Sequence, residues 1–253
     1  MKKIFKYYML IILTIMVASC SDDNDAPTPS TKMVLTSIQG GYLDDTTYGY
    51  TFIYNNDGTV KEMTTDTGDK YQYIFNETSI EVKEQEKGEQ EIKTYTFQLK
   101  DGLVVKNCDG TNFLYNASGR MVSTTNDNSL LTWTDGNISN VQETSSYVGT
   151  SEWTYVYSDK TNLANFNYLL GFMYSSCYPS ETNSPSQAFA AILYLQGYFG
   201  MDSKNICKQI NVDGDLDRTI EYTSVNAHGY PEKIKIVDYD RDVQVYTLTW
   251  SKM

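Results

Sequence analysis

A strand rich in aromatic residues, a turn built on glycine and a second strand recur along this chain, and that repeat limits the fold more than any other feature. It spans Phe52–Val60, Phe97–Val104, Phe113–Met121 and Leu131–Ile138, with a more distant copy at Tyr222–Tyr230. The turns read Asn55-Asn56-Asp57-Gly58, Asp101-Gly102, Asn116-Ala117-Ser118-Gly119, Asp135-Gly136 and Asn226-Ala227-His228-Gly229. Asn and Asp tolerate the positive φ of tight hairpins, and glycine takes it without steric penalty. Repeated hairpins set the architecture before any other element is considered.

The strands alternate with period two. Tyr48, Tyr50, Phe52 and Tyr54 share one face, as do Tyr71, Tyr73 and Phe75, and Tyr95, Phe97 and Leu99. Trp153, Tyr155 and Tyr157 repeat the pattern, and Tyr246, Leu248 and Trp250 end it. Thr, Lys, Gln and Glu occupy the positions between. Successive strand side chains point to opposite faces, so one face is aromatic and the other solvated. Half-buried alternation of this kind predicts antiparallel hairpins, not a parallel α/β core. The expected class is all-β: an antiparallel meander forming a curved sheet or partial barrel.

One stretch, near 161–205, breaks the pattern. Ser184-Pro185-Ser186-Gln187 reads as a helix start, with Ser184 as cap and Pro185 at the first helical position. Ala188 to Gln196 is apolar on nearly every face and stops at Gly197. A helix apolar all round is expected to be buried, as a plug on the aromatic face of the sheet. The alternative is an exposed apolar surface for a partner or membrane, formed by Phe166 to Tyr178 and Phe189 to Phe199.

The hairpin turns resemble degenerate YD repeats of Rhs-type wall proteins. Over residues 34–253 the chain also resembles a family of bacteroidal lipoproteins of unknown function described as having a porin-like fold. The resembling residues are those turns and Leu195–Asn205, placed after Asn162-Leu163-Ala164-Asn165. The family implies a shape and brings no established activity.

The first residues form a secretory signal: a basic Met1–Lys6 segment, then an apolar run from Met9 to Ala18. That run is too short to span a bilayer, which needs about 20 helical residues. Val17-Ala18-Ser19-Cys20 resembles a lipobox, which assigns lipidation to Cys20. Several acyl chains, at about 0.8 kcal/mol per buried methylene, would hold the chain on a membrane. Ser21-Asp22-Asp23-Asn24-Asp25 resembles the acidic surface-export signal of Bacteroides-type lipoproteins. The expected organisation is a signal peptide at 1–19, a lipidated cysteine and flexible tether at 20–33, and one β domain at 34–253. The location implied is the outer membrane, with the domain at the cell surface or on the periplasmic face.

Removing Lys2, Lys3 and Lys6 with the signal takes the formal charge from −12 to −15. Such a surface repels phosphate backbones, which argues against nucleic acid as a partner. After Cys20, the cysteines are Cys108, Cys177 and Cys207. Cys177 and Cys207 flank the insert and are the candidate disulfide, with three reduced thiols the alternative. His228 is the sole histidine, so a Ser-His-Asp or Cys-His arrangement has no other base to build on. No catalytic residue and no cofactor are assigned, and the reading leans away from an enzyme. Asn211, Asp213, Asp215 and Asp217 place oxygen donors at alternate positions, a weak calcium pattern without the bidentate Glu of an EF-hand. The expected role is a non-enzymatic envelope protein binding a ligand, a protein partner or a glycan. A carboxylate-dependent glycan hydrolase and a purely structural scaffold are the alternatives.

Overall fold

The computed structural model describes residues 33–42, 48–125, 128–145, 149–167 and 186–253, apart from the side chains of 42, 48, 145 and 186–188. The signal, Cys20, the tether up to residue 32, Cys177, Ser184 and Pro185 lie outside these residues. Strands β1 to β8 run Met33–Tyr42, Tyr48–Tyr54, Val60–Thr65, Lys70–Phe75, Ser79–Gln85, Lys93–Lys100, Leu103–Lys106 and Phe113–Tyr115. Strands β9 to β12 run Met121–Thr124, Leu130–Thr134, Asn137–Ser145 and Gly149–Thr161. Helix α1 covers Ser186–Leu195, and β13 to β16 cover Asn205–Val212, Asp215–Val225, Pro231–Asp238 and Val243–Lys252.

All 16 strands belong to one antiparallel sheet in which nearly every strand lies beside its sequence neighbours. The sheet is wrapped by its ends: β1 pairs with β16 from Met33↔Lys252 to Tyr42↔Gln244, with one bulge. The partial barrel expected from the alternation is therefore a nearly closed one. Its gap falls between β7 and β8, joined by a single bridge, Lys106↔Asn112. Gly58, Gly102, Gly119, Gly136 and Gly229 all have positive φ, between 72° and 87°. Because the strands alternate in direction, these repeat turns gather at one end of the barrel, with Met33 and Met253. The β13–β14 and β15–β16 turns lie at the other end, called the far end below.

The aromatic face is the interior. Phe52, Tyr71, Tyr73, Phe97, Phe113, Tyr155, Tyr246 and Leu248 are buried there. The outer wall carries Lys70, Gln72, Thr94, Thr96, Gln98, Glu221 and Lys233, all exposed. A lysine on a lipid-facing barrel wall costs about 2–4 kcal/mol at the bilayer midplane. Ile53, Ile74, Leu114 and Leu130 are exposed on it as well.

Helix α1 runs inside the barrel. Phe189, Ala191, Ile192, Leu193 and Tyr194 are all at most 4% exposed, so the helix is covered on every side. The Phe189 ring lies 4.7 Å from Tyr95 and 5.5 Å from Tyr71, and its carbonyl accepts the Tyr73 hydroxyl at 2.9 Å. Gln196 donates to the Gly58 carbonyl at 2.7 Å and accepts from the Val60 amide at 3.2 Å. Gly197 ends the helix with φ +86°, as its position in the sequence implies. The insert is a plug, not an exposed apolar surface, over its described part.

Candidate functional site

Below the apolar core the inner wall changes character towards the far end. In β5 the inward phase Ile80–Val82 continues to Glu84, which is 6% exposed. Tyr71 donates to Glu84 Oε1 and Tyr95 to Oε2, both at 2.7 Å. Burial first, and then the Glu84 carboxyl, hold both phenols well above the ordinary value of 10.0. Glu84, Glu86, Glu89, Glu91 and Lys93 line a cleft of about 120 Å³ at the rim. Lys93 reaches Glu86 at 2.5 Å, both half exposed. The cleft keeps a net negative lining.

A second polar set lies on β14 to β16. Arg218 continues the inward phase of Ile220 and Tyr222 and is 4% exposed. Its Nε lies 2.5 Å from Asp217 Oδ2, and its backbone stands opposite Asp238. Burial, then Asp238, raise the Asp217 carboxyl above its usual range. Gln244 is buried on β16 and accepts the Tyr246 hydroxyl at 2.5 Å. Thr111, Thr124 and Ser129 are buried polar residues at the same end. Buried polar groups need partners, since each left unsatisfied costs about 1–3 kcal/mol. This end of the inner wall, with Glu84 on β5, Arg218 on β14 and Gln244 on β16, is called the polar mouth below.

The weak calcium candidates Asn211, Asp213, Asp215 and Asp217 lie on the β13–β14 hairpin. Asp213-Gly214 forms a tight turn, with φ of 51° and 90°, between β13 and β14, which pair at Val212↔Asp215. Asp213 Oδ1 accepts the Glu152 amide at 2.8 Å. Asn211 bonds Thr154 and Gln209, and Asp217 faces Arg218. Among the described residues no group of three or more His, Cys, Asp or Glu side chains is placed to hold a metal ion. Cys207 is a free buried thiol facing the Gln209 carbonyl, and burial pushes it up to about 12. Its candidate partner, Cys177, lies outside the described residues. His228 is exposed in the Asn226–Gly229 turn, at the end opposite the polar mouth.

Glu84, Arg218 and Gln244 belong to no sequence motif. Strand phase would have found the first two, because each continues an inward run of apolar residues. It does not reveal the network under the repeat turns. Asn162 donates to Asp202 at 2.8 Å, and Asn167 bridges Asn205 and Cys207 with two 2.8 Å bonds. Tyr157 bonds the Ile138 carbonyl and Ser203, each at 2.9 Å. These contacts fix the insert to the barrel.

No family model matches the sequence, and no curated protein matches it. Among solved structures, a porin-like protein from Bacteroides uniformis is similar, with a TM-score of 0.57 at 13% identity. The match covers 86% of this chain and 96% of that one. At this identity the likeness is one of fold.

Proposed function

We propose that this chain is an envelope lipoprotein, anchored through Cys20, whose barrel binds a ligand or partner at its polar mouth and does not conduct. The observation that carries the reading is the combination of a plugged interior and a charged outer wall. Helix α1 occupies space a pore would leave to water, and Thr96 and Glu221 stand exposed at mid-strand on the outer wall, beside Ile53, Ile74 and Leu130. The likeness to a porin-like protein supports an envelope setting.

The test has two arms. The chain from Ser21 onward should stay soluble without detergent and give no conductance in planar bilayers. The full chain should partition with membranes in a bacterial host, and Cys20→Ala should release it and abolish labelling by a palmitate analogue. Steady conductance by the purified barrel would overturn the non-conducting reading, and an equally labelled Cys20→Ala chain would overturn the anchor.

A further inference from the structure

We propose that residues 197–204 form a latch across a lateral seam in the barrel, and that the wall opens at β7–β8 when the latch lifts. This stands independently of the lipid anchor and of the polar mouth.

Sheet pairing is thin in this quarter of the wall. β7, β8 and β9 have four, three and four residues, against 10 for β1 and 13 for β12. β9 and β10 register through one pair, Leu130↔Ser123. β7 and β8 touch at the far end through Lys106↔Asn112 and are not paired towards the repeat turns.

The latch crosses where they are unpaired. The Val104 amide of β7, which no β8 strand takes up, donates to the Tyr198 carbonyl at 2.7 Å. The Val104 carbonyl accepts the Tyr115 hydroxyl of β8 at 2.7 Å. Met201 then donates to Gly119 in the β8–β9 turn at 3.0 Å, and Lys204 to Gly136 in the β10–β11 turn at 2.9 Å. Ser203 accepts the Ile138 amide at 2.9 Å. Beneath them the Phe199 ring lies 5.1 Å from Phe113 and 6.2 Å from Phe97, one ring on each side of the gap. One segment thus bonds β7, β11 and the two turns that lie between them in the sheet. Segments held by few paired neighbours open below the global unfolding free energy, as cooperative units.

Gly200 makes the latch testable. Its φ is +88°, and a Cβ built there would overlap the Gly119 carbonyl oxygen. Gly200→Ala should lift the segment from the β8–β9 turn without touching β14 to β16. Hydrogen exchange of the full chain reads the result. In the wild type, the Val104, Leu114 and Met121 amides should exchange at least about tenfold faster than those of Ile220, Ile234 and Leu248. Gly200→Ala should widen that gap by about tenfold more. Equal protection of the two groups in the wild type would overturn the seam. A uniform loss of protection in Gly200→Ala, matching its global stability loss, would show core packing and overturn the latch.

Discussion

Tyr73 donates its hydroxyl to the carbonyl oxygen of Phe189 at 2.9 Å, tying the inner wall of β4 to the helix it encloses. Both residues are buried, at 5% and 0% exposed. The bond ties the helix to the wall, and Phe189 packs among the rings of Tyr71, Tyr95 and Phe97. Tyr73→Phe keeps the ring and deletes the donor. It is expected to destabilise the chain by about 0.5–1.5 kcal/mol, the usual net worth of one such bond. Urea denaturation measures it, and an unchanged midpoint would mean the helix does not depend on this tie.

Leu193 has no exposed surface, whereas Leu216 on β14 is 52% exposed. Truncating a fully buried leucine leaves a cavity as well as losing transfer energy. Leu193→Ala should lower stability by about 2–5 kcal/mol. Leu216→Ala should stay within about 0.5 kcal/mol. Comparable losses in the two variants would contradict a helix enclosed by the barrel.

The buried phenols set an alkaline limit. Burial holds Tyr73, Tyr155 and Tyr222 well above their ordinary value of 10.0. The unfolded chain gives up these protons near pH 10, and the folded chain keeps them. Their contribution to stability is therefore complete below about pH 10 and falls as pH rises beyond it. Tyrosinate absorbance and loss of β-sheet circular dichroism should rise together above pH 10. A titration of these tyrosines well before the sheet is lost would break the link.

Cys207 and Cys108 should differ in reactivity. The thiolate is the reacting species, and burial pushes Cys207 up to about 12, while Cys108 is only partly buried. Iodoacetamide at pH 8 should label Cys108 first in the native chain, and Cys207 only after denaturation, without reductant. If Cys207 needs reduction before it labels, it is bridged, and Cys177 is the partner the sequence suggests.

Most of the wall was legible because it rests on local rules. Period-two alternation identified Phe97 and Tyr155 as inward-facing, and Asp-Gly and Asn-rich turns located five of the hairpins. The helix was legible from its apolar run and its glycine stop. Closure was not, because Met33 and Lys252 meet through no local signal: two strands at opposite ends of the sequence pair only once all the hairpins between them have curled. The bonds from Tyr198, Met201 and Lys204 were hidden for the same reason, since backbone groups carry no residue type that marks a distant turn as their partner. Glu84 was missed although its phase was visible, because a carboxylate amid Lys and Glu residues reads as solvated until the two tyrosine donors are seen.

Closure has its own test at Gly40. It stands opposite Tyr246 in the β1–β16 register and opposite Tyr48 in β2. A Cβ on Gly40 would overlap the Val245 carbonyl oxygen and the Cα and ring of Tyr246. Tyr246 is 5% exposed and belongs to the core, and the Val245 carbonyl is backbone, so neither can swing aside as the end of a flexible side chain does. The two terminal strands can approach this closely only over glycine. Gly40→Ala is expected to destabilise by about 1–3 kcal/mol, the range for forcing extra volume into a packed site. Gly49 on β2 is the control, because the nearest atom to a Cβ there is the Asp66 side chain at 3.2 Å, which can shift. Gly49→Ala should therefore lose less. Exchange should rise first at the Ile38 and Leu248 amides, where β1 and β16 are registered, and only later in β4 to β6. A Gly40→Ala chain as stable as Gly49→Ala, with no change in exchange along β1 and β16, would show that the barrel is not closed by these two strands.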